Sequence, residues 1–305
     1  MTRDLSRPPH RKFLATVICV VMPLVCGCDR GRTTATISGA KSPTIASLVP
    51  SATDLLIGMG AGDHLVAVSN YDRGTNLPQV GDYQAIDWEK LSRAHPNIMV
   101  TFYGSGHAPV GMEERSRLLG IKILNLRFQK LSDVYSAIGD LGDACAEPAK
   151  ADAELKRIQT GLRAVHERVE VEPRVRAVIV TEASGLDFAG RSNYLDDLLN
   201  EAGGENAVKS PGYVTLDREA IAALEPRVIL QLLPAADDET AVKNKAFWNS
   251  FPEIPAVKEH RVWLFRETYM MTPGSHVAEV AAKFSAALHP PRQASTQPSA
   301  STARP

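Results

Sequence analysis

Asp87-Trp88-Glu89-Lys90-Leu91, then Pro96, then Ile98-Met99-Val100 is written a second time 130 residues later, as Asp217-Arg218-Glu219-Ala220-Ile221, Pro226 and Val228-Ile229-Leu230. Both copies read D-x-E-x-(L/I), a proline and three apolar residues. This pattern predicts a short helix with Asp as N-cap and Glu in the first turn, where the macrodipole favours a carboxylate. Proline stops each helix, and a buried strand follows. A second echo, in the same order, pairs Asp54-Leu55-Leu56 and Gly60 with Asp197-Leu198-Leu199 and Gly203. Two echoes in one order predict two similar α/β lobes.

Between the copies, Leu155, Ile158, Leu162, Val165 and Val169 recur at spacings of three and four behind Pro148, which suits a first helical turn. They predict one helix of about twenty residues, near 30 Å long, ended before Pro173. A hinge would carry glycine and polar residues instead, so a rod joins the lobes and large closure is not expected. Strands are expected near Thr44–Leu48, His64–Ser69, Ile98–Phe102, Lys122–Asn125, Arg176–Thr181, Val228–Gln231 and Arg261–Leu264. Helices alternate with them, which gives parallel sheets covered on both faces. The fold class is therefore α/β: two Rossmann-like lobes with parallel sheets joined by one long rigid helix. The lobes are expected at 44–146 and 172–289, with the linking helix at 147–171.

The two ends of the chain read differently from this body. Arg3, Arg7, Arg11 and Lys12 precede an uncharged apolar run from Phe13 to Val25. At about thirteen residues that run is too short to span a bilayer and reads as a secretory signal over residues 1–27. It ends in Cys26-Gly27-Cys28, which resembles a bacterial lipoprotein signal with Cys28 as the lipidated residue. Residues 28–43 read as a tether, and the proline-rich residues 290–305 as a disordered tail. The full chain has 305 residues and a net charge of −1. Removing residues 1–27 takes four basic groups and one acid, leaving 30 basic against 34 acidic residues, or −4. That balance excludes a basic nucleic-acid footprint and a patch held on anionic lipid, so membrane attachment would come from the anchor alone. Cys145 would be the sole remaining thiol, so no intramolecular disulfide is expected.

Ligands of such sheets sit in the crevice at the carboxyl ends of the strands. The loops expected there carry Tyr71, Tyr83, Phe102, Tyr103, Phe188, Tyr213 and Tyr269. Aromatic residues make up 6% of the chain, so their concentration in these loops points to a large, flat, partly apolar ligand. Packing beneath their own loops is the plainer alternative for any one ring. Enzyme motifs are missing: the sequence has no G-x-S-x-G, no G-x-x-x-x-G-K-(S/T) and no H-E-x-x-H. Gly58, Gly60 and Gly62 follow a helix and mark its end. The histidines are scattered; His107 and His276 alone fall in crevice loops, and no metal site or resident cofactor is expected.

From about Ile45 to Ala287 the chain resembles the periplasmic binding proteins of iron-siderophore, haem and vitamin B12 ABC importers. The shared phrases are Ser47-Leu48-Val49-Pro50-Ser51-Ala52-Thr53, Val80-Gly81-Asp82-Tyr83, Asp87 to Pro96, Leu119-Gly120-Ile121, Gly203-Gly204-Glu205-Asn206 and Asp217 to Pro226. Within that family it is most similar to the vitamin B12-binding members. The resemblance implies a monomeric, non-enzymatic, periplasmic lipoprotein that captures a corrinoid between its lobes and delivers it to a permease with its ATPase. It also implies ligand contacts from Tyr71, Tyr83, Phe102, Phe188 and Tyr213, with Tyr103 and Tyr269 added by their place in the crevice loops alone, and docking to permease arginines through Glu89 and Glu219. Trp of the vitamin B12 binders has become Tyr83, Tyr213 and Phe102, and an arginine has become Met271. Haem, with Tyr71, His107, Met270 or Met271 on the iron, and ferric siderophores are alternatives. Arg73 and Arg191 are few cations for an anionic chelate. A sensor or assembly lipoprotein is the alternative of another class.

Overall fold

A computed structural model describes residues 42–104, 108–182 and 186–290. The signal segment, Cys28, nearly all of the tether, the tail beyond Pro290 and His107 lie outside them. The first lobe runs β1 (Ile45–Ser47), α1 (Pro50–Gly58), β2 (Leu65–Ala67), α2 (Trp88–Ala94), β3 (Ile98–Thr101), α3 (Met112–Leu118), β4 (Lys122–Asn125) and α4 (Leu131–Cys145). α5 (Pro148–Val169) leads to the second: β5 (Val175–Val180), β6 (Asp187–Ala189), α6 (Tyr194–Glu201), β7 (Gly204–Asn206), β8 (Tyr213–Thr215), α7 (Arg218–Ala223), β9 (Val228–Leu232), α8 (Asp238–Asn249), α9 (Pro255–Lys258), β10 (Val262–Phe265) and α10 (Val277–Leu288).

The repeat holds down to single hydrogen bonds. Asp87 caps α2 by accepting the Lys90 N–H at 3.0 Å, and Asp217 caps α7 by accepting the Ala220 N–H at 2.8 Å. Both copies leave their helix through a left-handed residue just before proline, His95 at φ 49° and Glu225 at φ 44°. Both then enter a fully buried strand, β3 or β9. The sheets match as well. The first has the order β2-β1-β3-β4, all parallel, and the second repeats it as β7-β5-β9-β10, also parallel.

The second sheet then departs from the all-parallel expectation. β6 runs antiparallel to the end of β5, and β8 antiparallel to β6. Both segments were expected to be loops. Three residues are too few to show an alternating pattern, and these strands exist because the β5 edge offers partners that local sequence cannot reveal.

Helices cover both faces of each sheet. The outer face of the first lobe closes over Leu48, Leu91, Met99 and Met112, and that of the second over Phe188, Trp248, Phe251 and Ile254. The inner faces share one continuous core with α5, from Leu55 and Ile138 through Ile158 and Leu162 to Leu198 and Phe284. The buried stripe of α5 is Ala151, Glu154, Ile158, Leu162, Val165 and Val169. A carboxylate thus stands where the expected stripe had Leu155, which is only partly buried. The 22 residues of α5 make a rod about 33 Å long. Glu147, just ahead of it, lies by His64 at the amino end of β2, and Val169 near its end packs on Gly203, whose carbonyl receives the first N–H of β5. The rod therefore runs from the amino end of one sheet to that of the other.

Two struts cross between the lobes, and they come from the second echo. Asp54 on α1 accepts the N–H of Ser275, just ahead of α10, at 2.6 Å; Asp197 on α6 accepts the N–H of Leu131, the first residue of α4, at 2.9 Å. Each lobe's first helix thus satisfies an orphan donor at the start of the other lobe's last helix, where a carboxylate also meets the favourable end of the dipole. Ser275 is gripped further: Arg157 donates to its carbonyl at 2.7 Å and to both oxygens of Glu154. The approach is close enough to need glycine. A Cβ on Gly58 would lie 1.9 Å from Ser275 Oγ, and one on Gly274 would lie 2.2 Å from Asp54 Oδ2.

Cys145 closes α4 and is 2% exposed. Burial pushes its thiol up to about 11, with the negative charges of Glu147 and Asp63 adding to the shift. Since the thiolate is the nucleophile, iodoacetamide at mildly alkaline pH is expected to leave Cys145 unmodified in the native protein and to alkylate it after unfolding. Mass spectrometry reads both; rapid native labelling would contradict this packing.

Candidate functional site

A cavity of about 700 Å³ opens between the lobes at strand carboxyl ends. One wall comes from α1 (Pro50, Thr53, Asp54 and Ile57) and the loop after β2 (Tyr71 to Thr75). The other comes from Pro234 and Ala235 after β9, and from Thr268, Tyr269, Thr272 and His276 between β10 and α10. These positions follow from the fold: parallel strands deliver their loops to one edge, and the rod sets the two edges facing one another. A second hollow, about 470 Å³, lies on the outer side of the second lobe between α8, α9 and β10, away from the strand ends.

Of the seven expected rings, the structure brings Tyr71 and Tyr269 to the walls of the interlobe cavity. Tyr71 is 63% exposed. Tyr269 stacks on His276, with ring centroids 4.4 Å apart and 19° between planes, so the two rings line the far wall as one stack. Tyr83 and Phe102 meet edge to face at 5.7 Å and lean on the shared core. Tyr103 packs with Trp88 and Ile86 against the outer core of the first lobe, its N–H donating to Asn125. Tyr213 sits on β8, half exposed and off the cavity wall. Phe188 corrects the expectation of a crevice ring: it lies on β6, not in a loop, and is fully buried among the residues under α8. Met270 is likewise fully buried, and Met271 is half-buried against the shared core.

Sequence reasoning missed the acids of the cavity. In the sequence Asp54 stands out only as half of an echo, and Asp72 belongs to no motif. Burial raises the carboxyl of Asp54, partly countered by the Ser275 N–H and by His276, whose Nε2 is 3.6 Å from it. Burial pushes Asp72 up to about 6, against the pull of its bonds from the Ser69 N–H at 2.9 Å and the Thr53 hydroxyl at 3.1 Å. Arg73 also lines the cavity, whereas Arg191 does not. Among the described residues, no group of three or more His, Cys, Asp or Glu is placed to hold a metal ion.

Glu89 and Glu219 occupy the same place on their helices, in the first turn and exposed to solvent. Glu89 pairs with Arg93 one turn on, while Glu219 has no ion-pair partner among the described residues.

A family model described as periplasmic binding protein matches residues 45–269. The ABC transporter substrate-binding lipoprotein YvrC of Bacillus subtilis is 25% identical over 256 residues, covering 81% of this chain and 80% of its own. A vitamin B12-binding protein of Vibrio parahaemolyticus is 23% identical over 263 residues, covering 84% of this chain and 90% of its own. Among solved structures, a periplasmic heme binding protein from Pseudomonas aeruginosa shares the fold with a TM-score of 0.72 at 22% identity, covering 83% of this chain and 95% of its own.

Proposed function

The chain belongs to the periplasmic binding protein family, and we propose that it is the solute-capturing component of an ABC importer, taking a corrinoid into its interlobe cavity. In this reading Cys28 carries the lipid that anchors it, and Glu89 and Glu219 dock it to the permease. The observation that carries the ligand class is the cavity itself, walled by Tyr71 on one lobe and by the stacked Tyr269 and His276 on the other. Two aromatic walls facing an open gap suit a flat macrocycle held by its faces. Similarity to a vitamin B12-binding protein over most of the chain supports the corrinoid within that class. Haem is the second reading, favoured by the exposed Tyr71, whose phenol is of the type that ligates haem iron.

The deciding experiment titrates the purified protein with cyanocobalamin, haemin and ferric siderophores, followed by calorimetry and visible absorbance. Saturable binding of cyanocobalamin at micromolar concentrations is the expected result. Binding of haemin with a tyrosinate absorbance band, and none of cyanocobalamin, would hand the assignment to haem.

A further inference from the structure

We propose that Asp72 decides which ligand edge the cavity accepts: it takes a rim of hydrogen-bond donors, neutral amides or an ammonium, and turns away a rim of carboxylates. The inference rests on the interlobe cavity being the ligand site, and it deepens that reading by naming the chemistry of the ligand's periphery.

Four charged or readily charged groups face the cavity: Asp54 from α1, Asp72 and Arg73 from the loop after β2, and His276 from the loop before α10. The tyrosines Tyr71 and Tyr269 complete the titratable set. Asp54 is engaged by the Ser275 N–H, and His276 lies between Asp54 and Glu279, with its Nδ1 3.2 Å from the latter. Asp72 differs. Both of its bonds fall on one oxygen, Oδ2, and the other oxygen has no partner among the described residues. No Lys, Arg or His pairs with it there, although Arg73 is its neighbour in sequence.

The loop also holds this carboxylate in place. Ser69 Oγ accepts the Tyr71 N–H at 3.1 Å, Ser69 O accepts the Asp72 N–H at 3.1 Å, and Gln79 Nε2 donates to the Asp72 carbonyl at 3.2 Å. A half-buried carboxylate without a cation is unfavourable unless something supplies donors. That demand goes with a raised proton affinity, which comes first from burial and is increased by the nearby Asp54 carboxylate. A bound donor edge would meet it, and a second negative edge would sharpen it. The plainer role, closing its own loop through Oδ2, predicts no effect on ligand choice.

Asp72→Asn separates the two. Asn keeps an acceptor oxygen for Ser69 and Thr53 but loses the charge. Because the folded pKa of Asp72 lies above its unfolded value, its favourable contribution is present below the unfolded value and gone above about 6. The variant is therefore expected to be at least as stable as wild type at neutral pH, which thermal unfolding verifies. Affinities for cyanocobalamin (amide rim), ferrioxamine B (ammonium) and haemin (two propionates) are then measured for both proteins. Wild type should prefer an amide- or ammonium-edged ligand to haemin, and D72N should narrow that ratio about tenfold, the worth of a hydrogen bond to a charged group. The wild-type preference should also fade as pH drops through about 6, while that of D72N should lack this step. An unchanged ratio in D72N, or haemin as the tightest wild-type ligand, overturns the inference while leaving a ligand-binding cavity. Binding of none of the three by wild type instead fails the cavity reading, and the inference with it.

Discussion

Arg157→Ala is expected to lower the stability of the protein by about 2–4 kcal/mol. Glu154 is 4% exposed, on the buried stripe of the rod, and Arg157 is its partner through Nε at 2.7 Å and Nη2 at 2.6 Å. Removing one member of a buried pair leaves an uncompensated charge, which costs about 3–5 kcal/mol. The Arg157 side chain is half exposed, so water screens part of the pair and the lower range applies. Burial pushes the Glu154 carboxyl up, but the bonds from Arg157 and Ser275 outweigh it and leave the group below its ordinary value. A depressed carboxyl contributes stability above its unfolded pKa and loses it as pH falls through the folded one. The deficit of R157A should thus be largest near neutrality and shrink in acid. Replacing both Glu154 and Arg157 by apolar residues should recover part of the loss, since the pair's own buried charge is gone while the Ser275 carbonyl still lacks its Arg157 donor. Urea unfolding of the three variants checks this; a loss under about 0.5 kcal/mol for R157A would reduce the pair to a surface contact.

Charge reversal at Glu89 and Glu219 together is expected to abolish uptake into cells while leaving ligand affinity unchanged. Both side chains stand on outer helices, off the cavity walls, so they cannot touch what it holds. Lysine in the first turn opposes the macrodipole by about 0.3–1 kcal/mol at each site, too little to unfold the chain. Losing the exposed Arg93 partner of Glu89 adds about the same again at most. A growth or radiolabelled-uptake assay, paired with calorimetry on the purified variant, separates docking from binding. Undiminished uptake in the double variant would remove both residues from the docking surface.

Much of the scaffold was legible because it is written twice. The Asp N-caps, the proline stops and β3 and β9 followed from a pattern whose two copies check one another. The strand expected at Lys122–Asn125 is β4 to the residue, because a short apolar run between turn signals leaves little choice. The site was harder. Phe188 follows a strand and precedes Gly190, which reads as a loop; only pairing with β5 and β8 turns its ring into the core. Glu154 sits one position from where periodicity put Leu155, since a helix stripe is broad enough for either, and Arg157 with Ser275 favours the acid. Asp72 has no motif, because its character comes from a missing partner. The available signal was the echo of Asp54 and Asp197, whose struts were foreseeable only once each helix was known to lie against the other lobe's last helix.

The reciprocal struts and the shared core carry a consequence for traffic at the membrane. With each lobe bolted to the other's last helix, the fold leaves little room for closure, so on the proposed reading the empty and loaded proteins would present nearly the same outline to a permease that grips both lobes. A permease that docks them therefore cannot count on shape to tell a full carrier from an empty one. On that reading empty carriers would compete for the same berth, and the flux of solute would depend on the ratio of loaded to vacant carrier as much as on its amount.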